Sequence, residues 1–141
     1  MSDSLPRWYT PVSIMALIWN ILGLLAFTAQ VMITDEMIAA MPAPENMLYA
    51  NIPLWATIAF GVATIGGTLG ALMLVMKKSL ALPLLIVSLV GVLVQDYHSF
   101  LVINVIDVFG YTSLIMPAIV LVIGVLLILL ARKGQANGWL N

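Results

Sequence analysis

The sequence predicts an all-α integral membrane protein: a bundle of four transmembrane helices, both termini cytoplasmic, with a short interfacial helix in the first outer loop. Three observations carry that expectation. The 141-residue chain is 63% hydrophobic and 8% charged, with a mean hydropathy of +1.15, whereas a soluble domain carries about 25% charged residues. The apolar residues fall in four long runs that do not alternate, which suits helices rather than barrel strands. With four spans, all five basic residues (Arg7, Lys77, Lys78, Arg132 and Lys133) share one side, which the positive-inside rule makes cytoplasmic. Asp35, Glu36, Glu45 and Asp107 fall on the other side. The length suits a single transmembrane domain over residues 1–141 and leaves no room for a separate soluble one.

The elements follow in order. Residues 1–11 form a polar lead in which Trp8 and Tyr9 suit a headgroup belt. The first span covers about residues 12–33. At 1.5 Å per residue it reaches about 33 Å, enough for the hydrocarbon core and too long for the apolar part of a signal peptide, so it is expected to be retained. Residues 35–51 form an outer interfacial segment of one or two short helices. Thr34 is placed to cap the first, and Pro42 and Pro44 prevent a longer one. The second span, residues 54–76, repeats small residues every four positions at Ala59, Ala63, Gly67 and Ala71, with Gly66 and Gly70 alongside. Such a face lets another helix approach closely, whether from the same chain or from a second copy. Lys77-Lys78-Ser79 makes a tight turn. The third span covers residues 80–103 with Pro83 in its first turn. Residues 104–113 form a second outer loop, and the fourth span covers residues 114–131 with Pro117 near its start.

The third span breaks its apolar pattern at Gln95-Asp96-Tyr97-His98-Ser99, which includes the chain's one histidine. Asp96 lies about 24 Å along the helix from Leu80, a few ångströms inside the outer boundary. Ser88, Gly91, Gln95, Asp96, His98 and Ser99 share an arc of roughly 160°, and a polar stripe of this kind is expected to face the bundle or a watery pocket. On the first span Asn20, Gly23, Phe27 and Gln30 share a face, with Gln30 near the level of Asp96. Depth and helical angle therefore predict a shallow outer pocket from Gln30, Thr57, Gln95, Asp96, His98 and Ser99. Asn20, Gly23, Ala59, Ala63, Gly67, Gly70 and Ala71 are the expected helix-packing residues. Two roles are open to Asp96 and His98. They can bind or relay a proton or cation near neutral pH, or they can satisfy local hydrogen bonds near the interface. Two residues apart, they do not face each other on a regular helix.

Other chemistry lacks its residues. One histidine and no cysteine make no usual zinc or bis-histidine haem site, so no metal and no cofactor is expected. Phosphate-loop, serine-hydrolase-elbow and zinc-protease motifs are absent from the sequence, and no catalytic residue is expected. Five basic residues give no nucleic-acid footprint.

The segments Ile18-Trp19-Asn20-Ile21-Leu22-Gly23, Pro53-Leu54-Trp55 through Gly70, and LVGVLVQDYHSF from Leu89 to Phe100 resemble a family of small, uncharacterised four-span bacterial inner-membrane proteins, some labelled "sugar transporter". The resemblance covers essentially the whole chain. It implies a multi-pass protein of the bacterial inner membrane, and its label implies transport. Three functions follow for testing. The first is an accessory or interaction protein whose partners are the lipid bilayer and a second copy or a larger membrane complex. The small-residue face and the missing catalytic motifs favour it. The alternative is a small-solute or proton-coupled transporter or channel using the outward pocket around Asp96 and His98. A membrane enzyme ranks last.

Overall fold

A computed structural model describes residues 5–50 and 52–141. Residues 1–4 of the polar lead and Asn51, the last residue of the expected interfacial segment, lie outside the described residues. The fold is all-helical among those described. Four helices are long and apolar enough to cross a membrane: α1 (Tyr9–Val31), α4 (Leu54–Val75), α5 (Ala81–Tyr97) with its continuation to Val102, and α7 (Ile115–Ala136) with a preceding 3₁₀ turn (Tyr111–Leu114). Short helices α2 (Asp35–Ala39) and α3 (Asn46–Tyr49) link α1 to α4, and α6 (Val105–Phe109) lies between α5 and α7.

Proline marks the start of each long helix. Pro11, Pro83 and Pro117 each stand third in α1, α5 and α7, and Pro53 immediately precedes α4. A residue in the first turn has no intrahelical use for its N–H, so proline fits there without loss. This explains why α1 begins at Tyr9 rather than near residue 12: Pro11 sits inside its first turn, and Val12 N–H already donates to the Trp8 carbonyl at 3.1 Å. Thr34 caps α2 as expected, its hydroxyl accepting from Met37 N–H at 3.2 Å.

Three further boundaries differ from the sequence reading. The fourth span runs on to Ala136 instead of ending near residue 131. Arg132 and Lys133 mark where the apolar run stops, but they are good helix formers and the helix continues through them. It stops at Gly138, whose φ of 75° allows Trp139 N–H to bond the Gly134 carbonyl at 2.8 Å, a Schellman closure. The expected loop over residues 104–113 contains α6, set off by left-handed Asn104 (φ 59°) and by Gly110 (φ 81°). The end of the third span away from the basic residues widens into a π-helical turn over His98–Val102, with Ile103 N–H bonding the His98 carbonyl at 2.9 Å.

The four long helices pack in a curved row, α1–α4–α5–α7, and α1 and α7 barely touch along their length. α4 is the buried centre: half of its span is covered, against 11% of α1 and of α7. The small-residue face explains this. Gly67 is seated between the Asn20 side chain of α1 and Ser88 of α5, and Gly70 lies under Leu85. Gly91 of α5 lies on the α4 backbone, where a Cβ would come within 2.8 Å of the Ala59 carbonyl oxygen and of the Ala63 nitrogen. Ala59, Ala63 and Ala71 are buried. All of that closeness is used within one chain.

Hydroxyls bond the neighbouring backbones. Ser88 Oγ donates to the Ala63 carbonyl at 2.6 Å. The Thr68 hydroxyl is shared between the Thr64 carbonyl at 2.7 Å and the Asn20 carbonyl at 3.2 Å. Each such bond between helices is worth about 0.6 kcal/mol in a bilayer. The apolar side chains left exposed, including Ile14, Leu25, Leu93 and Val125, are the surface that lipid covers in this class of fold.

Candidate functional site

Because the row of helices curves without closing, it leaves a cavity of about 560 Å³ bounded by α1, α4, α5 and α7. Leu22 of α1 and Met116 of α7 line it, yet each is 58% exposed. The mouth is therefore the gap between α1 and α7, facing sideways. The floor is the α4–α5 contact. Asn20, Gly67 and Ser88 lie deepest, near mid-span: Asn20 is eleven residues from the start of α1, about 16 Å along it.

Asp96 stands at the level of the cavity farther from the basic residues, with Gln95 and Ser99 beside it. The remaining wall is mostly apolar, with Trp19, Phe60, Leu89 and Val120 among its members. Asp96 is the only charged side chain among the described lining residues. Its Oδ2 is buried and has no hydrogen-bond partner. The π turn over His98–Val102 overlaps this site at Ser99. Such turns often occur at functional positions.

The expected pocket is thus divided. Gln95, Asp96 and Ser99 come together in the cavity, whereas Gln30, Thr57 and His98 are not in its lining. Successive α5 residues step by 100°, so His98 points well away from Asp96. It is 6% exposed, with its ring edge-on to Trp55 of α4 at 5.3 Å. Gln30 and Thr57 are half-buried elsewhere. Their depth along the chain is readable from sequence, but the rotation of one helix about another is not. Conversely, Asn20, Gly23, Ala63 and Gly67, expected as packing residues, also form the inner wall. Thr64 and the α7 wall were not singled out at all, and α7 has no polar residue in that stretch that could have signalled it.

The cavity is shut at the end carrying the basic residues. Tyr9 is fully buried there rather than in a headgroup belt, and its hydroxyl donates to the Leu74 carbonyl at 2.6 Å. Trp139 stacks edge-on to Tyr9 and Trp8, with centroids 5.9 and 6.0 Å away. Lys133 Nζ lies 6.0 and 5.9 Å from the Trp8 and Trp139 ring centres. Beyond Trp139, Asn141 pairs with the α4–α5 turn: its N–H donates to the Lys77 carbonyl at 2.8 Å, and its carbonyl accepts from Ser79 N–H at 2.9 Å.

At the opposite end a second cavity of about 400 Å³ shares Ser99 and Pro117 with the first. Leu48 of α3, Phe100 and Phe109 help to line it, so the 35–50 segment reaches over the α5–α7 connection. Among the described residues no three histidine or acidic side chains gather as metal ligands. No protein-family profile, characterised protein or solved structure matches the chain.

Proposed function

We propose that this chain is a small-molecule transporter of the bacterial inner membrane, with both termini cytoplasmic, that takes an amphipathic solute from the outer half of the bilayer into the cavity beside Asp96. One observation carries the reading: a cavity of about 560 Å³, open between α1 and α7 and shut at the basic end. That volume falls in the range of small-ligand sites, about 300–1,000 Å³. A transport cycle from this state would have to part the Tyr9–Leu74–Trp139 seal while narrowing the α1–α7 mouth. The 35–50 segment, through Leu48, would act as an outer cover.

An accessory role remains the second reading, because the same mouth could receive a partner's helix. The interaction reading also drew on the small-residue face of α4, and that face is occupied inside the chain by Asn20, Ser88 and Leu85. Native mass spectrometry of protein extracted in its own lipid tests the proposal. A bound small molecule in the wild type that is missing from Val120→Trp, which projects a bulky ring into the cavity, is the expected result. Identical spectra from both would sink the reading. A co-purifying protein lost in Val120→Trp would establish the accessory one.

A further inference from the structure

The cavity is unbalanced in its charge and, at its deep end, in its hydrogen-bonding chemistry. Most of its deep donors are already committed. Asn20 Nδ2 donates to the Ala16 carbonyl at 2.8 Å, Thr64 Oγ1 to the Phe60 carbonyl at 2.9 Å and Ser88 Oγ to the Ala63 carbonyl at 2.6 Å. What these side chains still offer the cavity is chiefly oxygen lone pairs. Asp96 adds the one charged side chain of the described wall, and no basic side chain lines that wall to answer it. Trp19 and Phe60 supply aromatic rings in the same wall, and aromatic faces attract cations. A sugar would fit such a wall poorly, since most of its hydroxyls would meet apolar side chains and lose their hydrogen bonds to water.

Resting on the proposed small-molecule reading, we infer that the cavity selects an organic ammonium: a molecule with an apolar body and one protonated amine, which binds Asp96 while the body lies along Leu89, Val120 and Phe60. The ammonium brings the positive charge that the site lacks. The sideways mouth admits the body without passing it through water. An amine of this chemistry exists both as a free solute and as the headgroup of an ethanolamine phospholipid, and the outer level of Asp96 is within reach of either.

The test uses two rigid probes of nearly the same shape and opposite charge, 1-adamantylammonium and 1-adamantanecarboxylate. Each is titrated by calorimetry into full-length protein in phosphatidylglycerol nanodiscs, with empty nanodiscs as the blank. Saturable binding of the ammonium, tighter than the carboxylate by about tenfold or more, is expected from a charge-assisted pair. Asp96→Asn, nearly the same shape, should erase that preference, and Val120→Trp should abolish binding of the cage. Equal binding of both probes that Val120→Trp abolishes would overturn the cation selectivity and leave the cavity reading intact. Failure of both probes to bind would likewise overturn this inference, while the native mass spectra decide the broader reading separately. Repeating the titration with phosphatidylethanolamine in the disc identifies the source. Competition supports the inference with the lipid headgroup as ligand, and unchanged binding supports it with a free amine.

Discussion

Gly91 and Gly124 show how much one hydrogen atom in place of a methyl can decide. A Cβ at Gly91 would press on the α4 backbone, whereas one at Gly124 would meet only the end of the Leu89 side chain at 3.2 Å. Gly91→Ala is expected to destabilise the protein by about 1–3 kcal/mol, because backbone cannot step aside. Gly124→Ala should range from neutral to about 1 kcal/mol more stable, because Leu89 can turn and alanine is the better helix former. Unfolding both variants in mixed micelles compares them directly. Tyr9→Phe removes one buried hydrogen bond and strands the Leu74 carbonyl, so a loss of about 1 kcal/mol is expected in the same assay. Sequence distinguished these glycines only in part. Gly91 was legible as a member of the polar and small-residue stripe on α5, but Tyr9, read as an interfacial aromatic, gave no sign that its hydroxyl would find a carbonyl sixty-five residues away.

At the scale of elements, the two helices that end on the basic side close in the same way with different residues. After α4, Lys78 N–H bonds the Met73 carbonyl at 2.8 Å and Lys77 N–H the Leu74 carbonyl at 3.1 Å, which forces Lys77 to a φ of 59°. After α7, Gly138 holds the equivalent position. Left-handed backbone costs a side-chain-bearing residue about 1 kcal/mol more than glycine. Lys77→Gly should therefore raise stability by about that amount, and Gly138→Ala should lower it by a similar amount, both read as shifts in thermal unfolding. The existence and order of the long helices were legible because apolar length and proline placement are local properties. The end of α7 was not, since the charges that mark the membrane boundary are also good helix residues. The π turn after Tyr97 left no trace in composition. It changes hydrogen-bond partners without needing a special residue type.

For the whole molecule, the curved row explains why half of the expected pocket came together. Gln95, Asp96 and Ser99 share one helix, so their spacing alone joined them. Gln30 and Thr57 depended on how far α1 and α4 rotate against α5, which only packing decides. The cavity's α7 wall is apolar and carries no sequence signature distinct from a lipid-facing surface. Orientation in the bilayer can be measured cleanly because the chain contains no cysteine. Glu45→Cys in intact cells should react with a membrane-impermeant maleimide, and Lys78→Cys should react only after permeabilisation. The reverse pattern would invert the proposed topology and place the mouth of the cavity in the inner leaflet.

The seal at the basic end also bears on how the protein is made. Tyr9 belongs to α1, yet its stacking partner Trp139 and the Asn141 pairing with Lys77 and Ser79 come from residues synthesised after α7. α1 must therefore wait, with its basic-side end unfinished, until residues 139–141 arrive and dock. Removal of residues 139–141 is therefore expected to leave that end unsealed and to speed its proteolysis, however well the four helices have inserted.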